Sequence, residues 1–295
     1  MHKGTPVRLL VVTVPFGIRG YYPAMPIADL GDVQLYYRSA GEGPPVLGVM
    51  GFASDHRLWA PQVQAVGATN TFITFDNRGI GGSSGDGAST IDVMADDAYR
   101  LARHLEIERC IVFGISMGGA IAQRLVLDHP EIASALILAE TFARPIEFMR
   151  RQHELTRELL ATGRPERSFI EGVMLRMFTP QFFEVGKDVV DQIVQGFLTR
   201  TEPGRETEVD TILAQLDALD KHDTLAELPT ISCPTLVTGS KQDQMVPGFA
   251  AEEIAAAIPG AELVMFDSGH GAPLEEMPAF NAAVTAFLTK VNAVA

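Results

Sequence analysis

The chain has 295 residues, a formal net charge of −14, 46% hydrophobic residues and 20% charged ones. This fits one large globular domain or a domain with an insertion, and the excess of acid argues against nucleic-acid and anionic-membrane partners, which need a basic face. Two cysteines cannot make a disulfide framework; Cys110 and Cys233 each stand at the mouth of an apolar run and read as buried strand thiols.

Residues 1–24 read as an appended arm. Lys3 and Arg8 precede the short apolar run Leu9 to Phe16, an export-signal-like pattern weakened by Pro15, Gly17 and Arg19. The expected location is cytoplasmic, since no stretch reaches the roughly 18 apolar residues of a membrane span. The core is expected to start near Met25. Asp32 to Arg38 alternates as a strand, and Val46 to Met50 is a short apolar run consistent with a strand buried on both faces. It ends in Gly51-Phe52-Ala53-Ser54, and Arg57 to Val66 then reads as a helix. Thr71 to Phe75 is a second buried strand, ending in Asp76-Asn77-Arg78-Gly79; a Gly/Ser-rich loop over 80–89 and a helix over 91–105 follow.

The next stretch, Ile111 to Gly119, organises the rest. An apolar strand runs into Gly114-Ile115-Ser116-Met117-Gly118, and a helical pattern over 120–127 follows at once. So tight a turn from strand to helix crowds its own backbone, which demands small residues two before and two after the apex. The apex serine is left with its hydroxyl exposed, and the Met117 N–H sits at a helix start, where negative charge is favoured.

Ala133 to Ala139 is another strand, ending at Glu140. Residues 25–141 thus form the first part of an α/β core with a mostly parallel, doubly wound sheet. Residues 142–228 carry no strand pattern and read as four or so amphipathic helices, a cap over the carboxyl ends of the strands. Most of the Phe and Met residues of the cap are expected to pack the cap itself, with a minority lining an apolar pocket. The α/β pattern resumes over 229–295, with strands at 234–239 and 262–266 and helices at about 249–258 and 278–291.

A serine hydroxyl is a poor nucleophile until a base removes its proton and a carboxylate orients that base. His270, just past the last strand, is the base candidate. Asp243, just past the preceding strand, is the acid candidate, with Glu140 as an alternative. Gly79-Ile80-Gly81-Gly82-Ser83-Ser84 lacks the third glycine of a dinucleotide fingerprint, and His153-Glu154 is followed by Arg157 where a zinc H-E-x-x-H needs histidine. No cofactor and no metal are therefore expected. Asp76 and Arg78 read as loop ties and Trp59 as a packing residue. The remaining histidines read as solvated groups or local caps, with His56 also weighed as a substrate contact.

The order Ser116, Asp243, His270 at strand carboxyl ends resembles the α/β-hydrolase fold family. The likeness extends over about Met25 to the C-terminus, through Gly51-Phe52, the Phe75 to Gly79 turn with Gly81 and Ser83, Gly239 to Pro247, and Gly269-His270 with Pro273 and Glu275. Met50 departs from the histidine the family usually carries there. Within the family the chain is most similar to 3-oxoadipate enol-lactonase-like hydrolases and small carboxylesterases. The resemblance implies an oxyanion hole from the Phe52 and Met117 N–H groups, and a small apolar ester or lactone as substrate. Amide, lactam or C–C bond hydrolysis and perhydrolysis share the same triad, and a ligand receptor on this fold is the reading from another class. Serine at 116, where epoxide hydrolases and haloalkane dehalogenases carry aspartate, argues against alkyl transfer.

Overall fold

The computed structural model describes residues 26–85, 90–161, 167–200 and 206–293. The predicted arm over 1–24, residues 86–89 of the Gly/Ser loop, and the helix breaks foreseen at Gly163-Arg164-Pro165 and Glu202-Pro203-Gly204 lie outside them. No helix among the described residues is long and apolar enough to cross a membrane.

In chain order the core contains β1 (Ile27–Asp29), β2 (Gln34–Ala40), β3 (Pro45–Val49), α1 (Ala60–Gly67), β4 (Thr71–Phe75), α2 (Ile91–His104), β5 (Cys110–Ile115), α3 (Met117–Asp128) and β6 (Ala133–Ala139). Four cap helices follow: α4 (Glu147–Ala161), α5 (Arg167–Met177), α6 (Pro180–Arg200) and α7 (Glu206–Lys221). The core closes with β7 (Thr235–Ser240), α8 (Phe249–Ala257), β8 (Glu262–Phe266), the single turn α9 (Ala272–Glu275) and α10 (Met277–Asn292). Some features differ from the sequence reading. The edge strand β1 is too short to leave a periodic signal, a 3₁₀ turn (His56–Trp59) precedes α1, and Cys233 is only half-buried and lies just before β7.

The sheet order is β1-β2-β4-β3-β5-β6-β7-β8, with β1 and β2 antiparallel additions to a parallel run from β4 to β8. Parallel strands covered on both faces must be apolar at every position, which explains their unbroken hydrophobic runs. Alternate side chains then serve opposite cores. Val112, Leu136, Leu138 and Val237 pack with α2, α3 and α8, whereas Ile111, Phe113, Ala135 and Ile137 pack with α1 and α10. Trp59 is fully buried in the second core, edge-on to Phe72 and Phe113.

This winding also places the site. After β3 the chain goes to β4 on one side and then to β5 on the other, so β3 and β5 are neighbours whose following loops diverge. Such a reversal opens a crevice at the strand carboxyl ends. The loops at that crevice are Met50–Ser54 and the turn at Ser116.

Candidate active site

Ser116 sits between β5 and α3 with φ 55° and ψ −123°, a left-handed backbone that costs a non-glycine residue about 1–3 kcal/mol. The surroundings hold it there. Its N–H donates to the Ala139 carbonyl (2.9 Å), and its own carbonyl accepts from Thr141 Oγ1 (2.7 Å). The small residues are a packing requirement: a Cβ on Gly114 would lie 2.2 Å from the Gly118 carbonyl oxygen, and one on Gly118 would lie 2.0 Å from that of Val49. The turn can therefore be this sharp only with glycine at both places.

Three loops converge on the serine. Ser116 Oγ is 3.0 Å from His270 Nε2, and His270 Nδ1 is 2.7 Å from Asp243 Oδ2. The other oxygen of Asp243, Oδ1, accepts from the Met245 and Val246 N–H groups (2.7 and 2.8 Å), so its carboxylate is fixed at both ends. Ser240 and Ser268, bonded to each other (2.9 Å), tie the acid loop to the histidine loop. Burial works against a charged His270. The negative charge of Asp243 and its hydrogen bond outweigh that and hold the imidazole above its ordinary range.

On the other side of the serine, the Phe52 N–H has no acceptor among the described residues. Met117 is the first residue of α3, with its N–H at the positive end of that helix. Ala53, which follows Phe52, is itself left-handed (φ 51°) and is pinned through its N–H to Gln215 Oε1 (2.9 Å). Gln215 is fully buried on α7, so a cap residue shapes this core loop. Nothing in its local sequence distinguishes it from a surface glutamine.

Glu140 is not joined to His270; its Oε1 accepts from Thr238 Oγ1 (3.1 Å), and its Oε2 has no hydrogen-bond partner among the described residues. Burial, with repulsion from Asp243, pushes its carboxyl up to about 8, so it carries a proton at neutral pH. The unfolded chain releases that proton near the ordinary value of 4.5. Glu140 therefore costs increasing stability as pH rises from about 4.5 through 8. Glu140→Gln is expected to unfold at a higher temperature than the parent at pH 8, with the difference shrinking toward pH 5. Calorimetry across that range checks this, and a difference independent of pH would contradict it.

The crevice is roofed by the cap to leave a cavity of about 220 Å³, lined mainly by apolar side chains and reaching Ser116 and His270. Met149, Phe169, Met174 and Met177 line it, while Phe178 stacks on Phe182 and Phe148 is exposed. The share of cap Phe and Met facing the pocket is thus larger than the sequence reading allows. The cap also grips the histidine loop, for the Gly271 N–H donates to the Met177 carbonyl (2.9 Å). Glu275 accepts from the Gly269 N–H (3.1 Å) and from Thr179 Oγ1.

The other histidines divide. His56 binds Asp76 (Nδ1 to Oδ1, 2.7 Å) and does not line the cavity, which leaves it a loop tie rather than a substrate contact. His153, read as solvated, lines the cavity and is bonded to Asp220 (2.6 Å). His222 is buried against Phe142, and burial pushes it down to about 4. Asp76 also accepts from the Gly82 N–H, and Arg78 forms a buried two-pronged pair with Asp97, so both tie loops.

A capped, mostly parallel sheet with a strained serine at its central crevice is the architecture of an α/β-type hydrolase. The model of the alpha/beta hydrolase fold family matches residues 44–277, and the chain belongs to that family. It is 31% identical to the Azorhizobium caulinodans protein named "Putative carbamate hydrolase RutD", over 83% of this chain and 91% of that one. The crystal structure of the enol-lactonase from Burkholderia xenovorans LB400 superposes with a TM-score of 0.80 at 28% identity, covering 90% of this chain and all of that one. A thermophilic esterase from Thermogutta terrifontis gives 0.78 at 29% identity, covering 88% and 94%.

Proposed function

We propose that the protein is a cofactor-free serine hydrolase that cleaves carboxylic esters or lactones through an acyl-enzyme on Ser116. The observation that carries this reading is the unbroken line of hydrogen bonds from Asp243 through His270 to Ser116 Oγ. His270 Nε2 takes the hydroxyl proton as Oγ attacks the acyl carbon, and Asp243 steadies the imidazolium and keeps Nδ1 protonated. The Phe52 and Met117 N–H groups hold the tetrahedral oxyanion, and each such donor contributes on the order of 10²–10³ in kcat. His270 then returns the proton to the leaving alkoxide. In the second half-reaction it activates water against the acyl-enzyme, and the carboxylic acid departs. A half-buried serine beneath an apolar roof suits a small, mainly apolar acyl group.

The enol-lactonase and esterase neighbours support ester and lactone chemistry, whereas the carbamate hydrolase relative favours a second reading, attack on a carbamate by the same residues. Labelling with a fluorophosphonate, followed by mapping of the modified peptide and a panel of esters, lactones, carbamates and amides, tests both. The adduct is expected on Ser116, with turnover highest on esters and lactones. An adduct elsewhere would end the mechanism, and binding without turnover of any member would leave a receptor.

A further inference from the structure

A second histidine–carboxylate pair fastens α4 to α7. His153 Nδ1 lies 2.6 Å from Asp220 Oδ1, and Arg157 Nη2 donates to the other oxygen of that carboxylate (2.6 Å). Burial works against a charged Asp220, but its bonds to His153 and Arg157 outweigh that and hold it below the usual carboxylate range. Asp220 is therefore an acceptor only, and Nδ1 carries the hydrogen between them. Burial also disfavours a charged imidazole; together with the nearby Arg157 and Arg150 it outweighs the pull of Asp220 and keeps His153 below its ordinary range. At neutral pH the ring is thus uncharged, with a hydrogen on Nδ1 and a bare lone pair on Nε2.

That lone pair has no use inside the protein. Among the described residues Nε2 has no hydrogen-bond partner, and packing does not seal it off. His153 lines the cavity over Ser116, whereas Asp220 does not. The two nitrogens of an imidazole point to nearly opposite sides, so a ring with Nδ1 turned to Asp220 presents Nε2 to the cavity. His270 is the contrast: its Nδ1 also meets an aspartate, but its Nε2 is engaged by Ser116 Oγ. No such nucleophile stands at His153 Nε2 among the described residues, and fastening two helices needs only the Nδ1 edge. An acceptor held in a mainly apolar wall discriminates, because a ligand that offers it no hydrogen leaves it buried and unpaired.

We propose that His153 Nε2 is a substrate-recognition acceptor and that the substrate is an ester or lactone carrying a neutral O–H or N–H donor away from the scissile bond. This deepens the serine-hydrolase reading above and rests on it. An alcohol and a secondary amide supply the same hydrogen bond, and the two arms of the test tell them apart.

The test compares kcat/KM within two matched pairs. p-Nitrophenyl 6-hydroxyheptanoate against p-nitrophenyl 6-oxoheptanoate sets an alcohol against a ketone on one acyl skeleton. 4-Acetamidophenyl butyrate against its N-methyl derivative keeps or removes an amide N–H on the leaving side. In at least one pair the parent is expected to favour the donor by about 5- to 30-fold, mainly through KM, the scale of leaving one buried polar group unpaired. His153→Phe is expected to lower that ratio by the same factor. Asp220→Asn separates recognition from fastening. Arg157 keeps the amide oxygen, the amide nitrogen then faces Nδ1, and the imidazole must move its hydrogen to Nε2. Nε2 becomes a donor, the alcohol or amide loses its advantage, and nitrogen NMR of labelled histidine should show the hydrogen on Nε2 instead of Nδ1. Thermal unfolding of each variant guards against misfolding. No preference for the donor in either pair, or a ratio that either folded variant leaves unchanged, overturns the assignment while leaving the serine mechanism intact. If no ester turns over and Ser116 takes no fluorophosphonate, the mechanism fails, and calorimetric binding of cyclohexanol and cyclohexanone to the parent and to His153→Phe decides the acceptor site alone. Tighter binding of the alcohol that is lost in the variant upholds it. Equal or no binding of the two in the parent, or a preference that survives the substitution, overturns it.

Discussion

Ser116→Ala is expected to lower kcat on an activated ester by about 10⁴- to 10⁶-fold, the scale seen when a triad nucleophile is removed. No neighbouring group can take over. Ser54 also lines the cavity, but its hydroxyl donates to the Phe52 carbonyl (2.9 Å), and no basic side chain among the described residues bonds to it. Cys110 is buried in β5, where burial pushes its thiol up to about 12, far from the thiolate a nucleophile needs. The variant keeps the N–H donors and the cavity, so residual catalysis above the water rate is expected along with unimpaired substrate binding. Stopped-flow release of p-nitrophenol gives burst and steady state together. A variant retaining more than about a hundredth of parental kcat, on the same scale, would exclude an acyl-enzyme at this position.

Asp243→Asn is the second large effect, a fall of about 10⁴ in kcat with little change in fold. Asp243 Oδ1 already accepts two backbone N–H groups, which fixes an oxygen on that side. The amide nitrogen of asparagine must then face His270 Nδ1, and two donors would meet. The imidazole escapes by moving its proton to Nε2, where it can no longer accept the proton of Ser116. Glu140 offers no substitute, because its Oε1 is held by Thr238 Oγ1 and it has no bond to His270.

The same variant tests the pH profile. In the parent, kcat/KM is expected to fall with one proton on acidification, with a midpoint above the ordinary imidazole value of 6.5, because the net influence on His270 favours its charged form. The sign follows directly: activity needs the neutral ring, so a raised pKa brings the acid loss at higher pH. Without the charge of Asp243, burial dominates and the residual activity should lose its acid limb at lower pH. A limb that stays in place in Asp243→Asn would mean that another group governs it.

Much of this molecule could be read from the chain. Fully apolar runs bounded by glycine and proline can satisfy their backbones only as strands covered on both faces, so β3, β4, β5 and β6 were legible. Gly114-Ile115-Ser116-Met117-Gly118 was legible because crowding at a sharp turn acts between near neighbours in sequence. Ser116, Asp243 and His270 could be named because each follows a strand at the same end of the sheet. Short-range sterics and periodicity thus determined the fold, the turn at the serine and the residues gathered at the crevice. Only the tertiary structure decided which acid meets His270, because Asp243 and Glu140 both end strands and differ in where their loops point. It alone decided that Gln215 holds the Ala53 N–H, and that His153 and most of the cap Phe and Met residues face the cavity. The physical reason is that a helix face is chosen by what packs against it. For the cap those partners lie far away along the chain, so its hydrophobic period marks an apolar stripe without saying whether that stripe meets another helix or a substrate.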